Sequence, residues 1–145
     1  MSDSQASRPA TLLVTGANGH LGRSLCLGAQ GTRIRAVVRS ERAASVLRSL
    51  PQAARPEIHV LDPTATEVLA AVAEGAVVWA HLVGILKEGS RARYREAHEE
   101  SCERVAQAAA RAGVRRIVYP SILGASVDSS NPCLASKARA EAILL

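Results

Sequence analysis

Thr11-Leu12-Leu13-Val14-Thr15-Gly16-Ala17-Asn18-Gly19-His20-Leu21-Gly22 is the stretch that decides how this chain folds. Thr11 to Thr15 carry no charge and run straight into Gly16. A short apolar run stopped by glycine reads as a strand buried on both faces of a parallel sheet. Beyond the glycines, Leu21, Leu25 and Ala29 recur at helical spacing, and Gly31 is the expected C-cap. Strand, glycine turn and helix form one unit.

The same unit recurs along the chain. Ile34 to Val38 reads as a second strand, and Ser40 as the N-cap of a helix reaching Leu50. Pro51 and Pro56 bracket a loop, Ile58 to Leu61 is a third strand, and Thr64 is the expected cap of a helix carrying Val68, Leu69 and Val72. Ala76 to Val83 reads as a fourth strand ending at Gly84. The longest helix is expected over Ala92 to Ala112, with Tyr94, Ala97, Val105, Ala108, Ala109 and Ala112 on its buried face and Arg95, Glu96, Glu99, Glu103 and Arg104 opposite. Gly113 closes it, Ile117-Val118-Tyr119 is a fifth strand, and a polar loop from Gly124 to Pro132 leads to a last helix from about Leu134. Five strands alternating with five helices predict an α/β fold of the Rossmann type: a three-layer, doubly wound parallel sheet of order 3-2-1-4-5. Residues 11–145 are read as one domain after a disordered leader over 1–10.

Composition narrows the classes. The chain has 145 residues, 48% apolar and 21% charged, with a formal net charge of +5 and a pI near 9.7. That composition folds, and one core suffices. The positive charge is arginine scattered without a run, and the aromatics are only Trp79, Tyr94 and Tyr119, so the basic stripe and stacking platform of a nucleic-acid binder are missing. No stretch approaches a membrane span and the polar start has no apolar signal core, so a cytoplasmic protein is expected. Cys26, Cys102 and Cys133 lack CxxC spacing, and His20, His59, His81 and His98 lack ligand spacing, so no metal is expected.

The glycine turn points to a dinucleotide. A pyrophosphate needs backbone N–H donors, the positive end of a helix and close approach of the chain. Gly16, Asn18, Gly19, His20, Leu21 and Gly22 are therefore the candidate phosphate contacts. Gly16 serves the turn, Gly19 keeps a Cβ off the phosphate, Gly22 serves helix packing, and Asn18 can brace the turn with its side chain. Three glycines in seven residues can mark any tight turn, but this one follows a strand and opens a helix in the first βα unit. Arg39 ends the second strand, with Arg42 close behind. An arginine there accepts a 2′-phosphate where an acid would bond the ribose hydroxyls, so NADP is placed ahead of NAD. Asp62 stands where it can contact adenine or begin an Asp-Pro turn.

Together with that turn, His81-Leu82-Val83-Gly84-Ile85-Leu86 and Gly113 to Ala125, GVRRIVYPSILGA, give the chain a family likeness. It resembles the extended, atypical short-chain dehydrogenase/reductases, and within them the group of the nucleotide-binding accessory subunit of respiratory complex I and its bacterial relatives. The resemblance implies that Leu82, Val83 and Gly84 pass beside the cofactor. It also implies a catalytic serine after the fifth strand, matched by Ser121, and a Tyr-x-x-x-Lys pair on the next helix, of which Lys137 matches the lysine and also reaches the cofactor.

The position four residues before Lys137 is Cys133, on the same helix face, where the family's tyrosine would stand. A thiol is shorter and differently aimed than a phenol. Three explanations stay open: a cofactor-binding protein that has lost its proton donor, an altered catalyst using Cys133, or a donor supplied by Tyr119 or from outside the chain. Family members carry a further substrate lobe, and a five-stranded sheet would leave its fifth strand as an edge, which invites a homo-oligomer contact or a protein partner.

Overall fold

The computed structural model describes residues 10–29 and 31–145; the expected leader, Ala10 apart, lies outside them. β1 (Thr11–Thr15), β2 (Arg33–Val38), β3 (Glu57–Val60), β4 (Ala76–His81) and β5 (Ile117–Val118) form one parallel sheet of order β3-β2-β1-β4-β5. This is the expected doubly wound order, with β1 at its centre.

Alternation along the strands divides the core in two, because successive side chains leave opposite faces of a sheet. Leu13, Val37 and Trp79 face α3 (Thr66–Ala73) and α4 (Ser101–Ala112), packing with Leu69, Ala73, Val105 and Ala109. Val14, Ala36, Val38 and Ala80 face the other way, toward Cys26 of α1 (His20–Gly28) and Ala44 and Leu47 of α2 (Glu41–Arg48). A fully buried Leu or Val contributes roughly 1.5–3 kcal/mol. The many alanines let helices and sheet approach closely. α5 (Pro132–Leu144) packs along α4 and the turn before it.

Element ends follow local chemistry, with corrections. Ser40 caps α2, its Oγ accepting from the Ala43 N–H at 3.2 Å, and Gly113 (φ 72°) closes α4 as expected. α1 stops at Gly28 with Ala29 as its cap, two residues short of Gly31. Thr64 does not cap α3: its N–H and hydroxyl both donate to Asp62 Oδ1, at 2.9 and 2.7 Å, and the helix starts at Thr66. β4 ends at His81, before Val83, and α5 starts at Pro132, capped by Asn131, whose Oδ1 accepts from the Cys133 N–H at 2.9 Å.

The largest correction concerns the long helix. It begins at Arg95, three residues later than read, as a π-helical turn over Arg95–Glu100 that runs into α4. A π turn is wider than an α turn and shifts the register of the residues before it. Tyr94 and Ala97 are thereby only half-buried, and His98 and Cys102 take the core-facing positions above Val105 and Ala109.

Candidate dinucleotide-binding site

The carboxyl ends of β1, β4 and β5 meet at one edge, where ligands of such sheets bind. Thr15 O accepts from the Leu82 N–H at 2.9 Å, so the chain leaving β4 runs beside the glycine turn. Gly16 has φ +78°, and a Cβ on it would lie 2.8 Å from the Leu82 carbonyl carbon and 3.0 Å from Val83 N. A Cβ on Gly22 would meet the Cα and carbonyl oxygen of Ala17 at 2.5 Å, so this glycine seats α1 on the turn itself. Gly19 differs: its φ is −71°, and an added Cβ would touch only Gly16 O, at 3.3 Å. The fold requires Gly16 and Gly22. Gly19 keeps the open side of the turn bare.

That open side has the features a phosphate needs. Gly19 is the N-cap of α1 and supplies no side-chain acceptor, in contrast to Ser40 and Asn131 on α2 and α5. The first amides of a helix have no intrahelical partner, and those of the exposed His20 and Leu21 lie at this end. The turn is closed by backbone, Gly19 N–H to Gly16 O at 3.1 Å, while Asn18 stands exposed. The β1–β2 register pairs Thr15 with Val37, so Arg39, exposed, lies at the same edge as the turn. The Asp62 carboxylate is held by Thr64 in an Asp-Pro turn, and these bonds lower its pKa. The residues present thus fit a dinucleotide.

At the β5 side, Lys137 is buried and its Nζ donates to Tyr119 OH and Pro120 O, both at 2.9 Å, while lying 4.1 Å from the Tyr119 ring centroid. Burial lowers the Lys137 pKa, and burial, followed by Cys102, raises that of Tyr119. Tyr119 is therefore a neutral phenol engaged with the lysine. The Cys133 thiol is buried one helical turn away, 3.8 Å from Ile85 O. Ser121 donates its hydroxyl to Glu141. Leu82, Val83, Gly84, Ser121 and Lys137 line one shared cavity of about 270 Å³. Gly84 lies against Lys137: a Cβ there would touch Nζ at 3.4 Å, an ordinary contact.

Behind this cavity lies a polar chain that sequence reading missed. The Trp79 Nε1–H donates to Thr15 Oγ1 at 3.2 Å, and Thr15 Oγ1 lies 2.6 Å from His81 Nδ1. His81 Nε2 lies 3.1 Å from Ser101 Oγ, which donates to Ala97 O at 2.7 Å. One assignment satisfies every donor: Thr15 donates to Nδ1, and Nε2–H donates to Ser101. Burial, followed by the charge of Lys137, lowers the His81 pKa to about 4, keeping that neutral tautomer. His98 was missed too. It is fully buried, its Nε2 is 3.1 Å from Ile85 N and 3.0 Å from Ile85 O, and its Nδ1 has no partner. A histidine four residues before Cys102 and seven before Val105 was the available signal, a polar residue on an apolar stripe.

Sheet order, bare glycine turn and adjacent β4 segment define the class: a doubly wound α/β domain whose carboxyl edge fits a dinucleotide. A family model described as NAD(P)H-binding matches residues 16–144. The chain belongs to that NAD(P)H-binding family, and its sheet has the Rossmann-type order. It is 29% identical over 132 residues to a ceramide reductase of Caulobacter vibrioides, covering 90% of this chain and 40% of that protein. Among solved structures it is similar to Pen from Bacillus thuringiensis, with a TM-score of 0.79 and 20% identity over 94% of this chain and 44% of that one. It also resembles the NADPH-dependent quinone oxidoreductase of Escherichia coli bound to NADPH, with a TM-score of 0.70 and 23% identity over 92% of this chain and 44% of that one. The chain thus spans under half the length of these relatives. Among the described residues no helix is long and apolar enough to cross a membrane, and no His, Cys, Asp and Glu cluster could hold a metal.

Proposed function

We propose that this chain is the NADP-binding domain of a cytoplasmic, atypical reductase-like protein whose own proton-donating machinery is weak or lost. The observation that carries the reading is the bare turn from Gly16 to Gly22, with its uncapped helix end beside the Leu82-Val83 backbone. The amides of His20 and Leu21, beside the bare Gly19, hold the pyrophosphate, and Arg39 pairs with the 2′-phosphate. Leu82, Val83 and Gly84 flank the nicotinamide half, and Lys137 steadies its ribose. When bound, the dinucleotide supplies or accepts a hydride. The weak step is the proton, because Cys133 takes the phenol's position and Lys137 bonds Tyr119 instead.

The same Cys133 favours a second reading, a cofactor-sensing subunit that docks on a protein partner or on another copy. Half-exposed Val118 on the edge strand β5 is consistent with such a contact. Turnover separates the two readings. Restoring the phenol by Cys133→Tyr should raise carbonyl reduction if a catalyst has been weakened, and should leave a sensor silent. For the cofactor, Arg39→Asp should weaken NADPH at least tenfold more than NADH in calorimetric titration. Equal losses would remove Arg39 from the 2′-phosphate site.

A further inference from the structure

The geometry points to an uncharged, largely hydrocarbon carbonyl compound as the second ligand of this site, an inference that rests on the dinucleotide reading above. Leu82 and Val83, which line the 270 Å³ cavity, lie against Gly16 and so beside the glycine turn. Ile85, Leu86, Pro120 and Ile122 add further wall, without a charged side chain among them.

The two polar side chains lining the cavity are already committed. Lys137 Nζ donates to Tyr119 OH and Pro120 O, and Ser121 donates to Glu141. With its third donor turned to the ribose in the dinucleotide reading, the lysine has none left for an anionic substrate. An alkyl chain would find apolar wall, and covering it removes that surface from water. The wall continues outward on Leu86, which is 79% exposed, and Leu123, the neighbour of Ile122, which is fully exposed. It is also held in place: Tyr94 OH donates to Leu86 O at 3.0 Å, and His98 bonds the Ile85 backbone. A second cavity, of about 360 Å³, is lined by Glu88, Arg95, Glu99 and Arg139 and has the opposite character.

The test is ligand-observed NMR titration of the whole chain, first saturated with NADPH, using 2-heptanone, 2-nonanone, 2-undecanone and glucuronate as probes. Affinity should rise by about fourfold per added methylene, the value for burying CH₂, and glucuronate should not bind. Leu86→Ser lies on an exposed position, leaves the fold intact and should flatten the series at its longest member. A flat series, or glucuronate binding better than the ketones, with NADPH still bound, would overturn the substrate class and leave the dinucleotide reading standing. Failure of NADPH to bind would overturn both.

Discussion

Replacing Gly22 by alanine should destabilise this domain far more than one methyl group suggests. Inside a helix, alanine is intrinsically better than glycine by roughly 0.5–1 kcal/mol, so propensity alone predicts a gain. The structure predicts the reverse. The new Cβ would lie 2.5 Å from Ala17 Cα, 2.5 Å from Ala17 O and 2.6 Å from Ala17 C. These are backbone atoms of the tight turn and cannot swing aside, so α1 must move away from β1 by about an ångström. Overpacking of this kind costs about 1–3 kcal/mol. Taking the upper end and subtracting the propensity gain leaves a loss of about 2 kcal/mol, or roughly 4–8 °C in Tm at this size. Urea unfolding followed by circular dichroism measures it. Gly19→Val is the companion variant: its φ is ordinary and its Cβ would meet only Gly16 O, at 3.3 Å, so stability should fall far less than in Gly22→Ala while NADPH binding disappears. A Gly22→Ala protein as stable as the parent, or more so, would refute the close seating of α1 on the turn.

Acid should weaken the fold through His81. Its folded pKa is about 4 against 6.5 free, because burial and then Lys137 disfavour the imidazolium. Between those pH values the unfolded chain binds a proton that the folded chain refuses. Stability is therefore full above pH 6.5 and falls by about 1.4 kcal/mol per pH unit toward pH 4; unfolding midpoints across that range should show the slope, and His81→Asn should reduce it. His98→Ala should cost about 3 kcal/mol in chemical denaturation, through a cavity and the loss of a partner for Ile85, whereas a loss below about 0.5 kcal/mol would deny it that bracing role. Lys137→Met replaces a buried cation with an apolar chain of similar length, so stability should be unchanged or higher. Its NADPH affinity should fall tenfold or more, and unchanged affinity would remove the lysine from the cofactor.

What sequence could show here depended on how local the cause is. The β1–turn–α1 unit, the Ser40 cap and the Gly113 stop were legible because each depends on neighbours within a few residues, and the parallel sheet follows from the βα alternation, its order from the glycine turn standing in the first βα unit. The start of the long helix was not, because its π turn is selected by how His98 and Cys102 settle against the sheet. Thr64 was misread as a cap because Asp62, two residues earlier, draws it into its own turn, and the helix starts only at Thr66. In the site, helical spacing could pair Lys137 only with neighbours on its own helix, Cys133 and Glu141 among them. Its bond to Tyr119 exists because β5 and α5 are brought together in space, and no periodicity within either element encodes that. The relay from Trp79 through Thr15 and His81 to Ser101 likewise spans three elements, each contributing one or two polar groups to an otherwise apolar pattern.

The central claim is that the turn from Gly16 to Gly22 holds a nicotinamide dinucleotide, and calorimetric titration of the folded wild-type chain with NADPH and NADH tests it most directly. Saturable binding at one site per chain, tighter for NADPH and absent in Gly19→Val, is the predicted result. No heat of binding from either nucleotide, with circular dichroism showing the chain folded, would contradict the account.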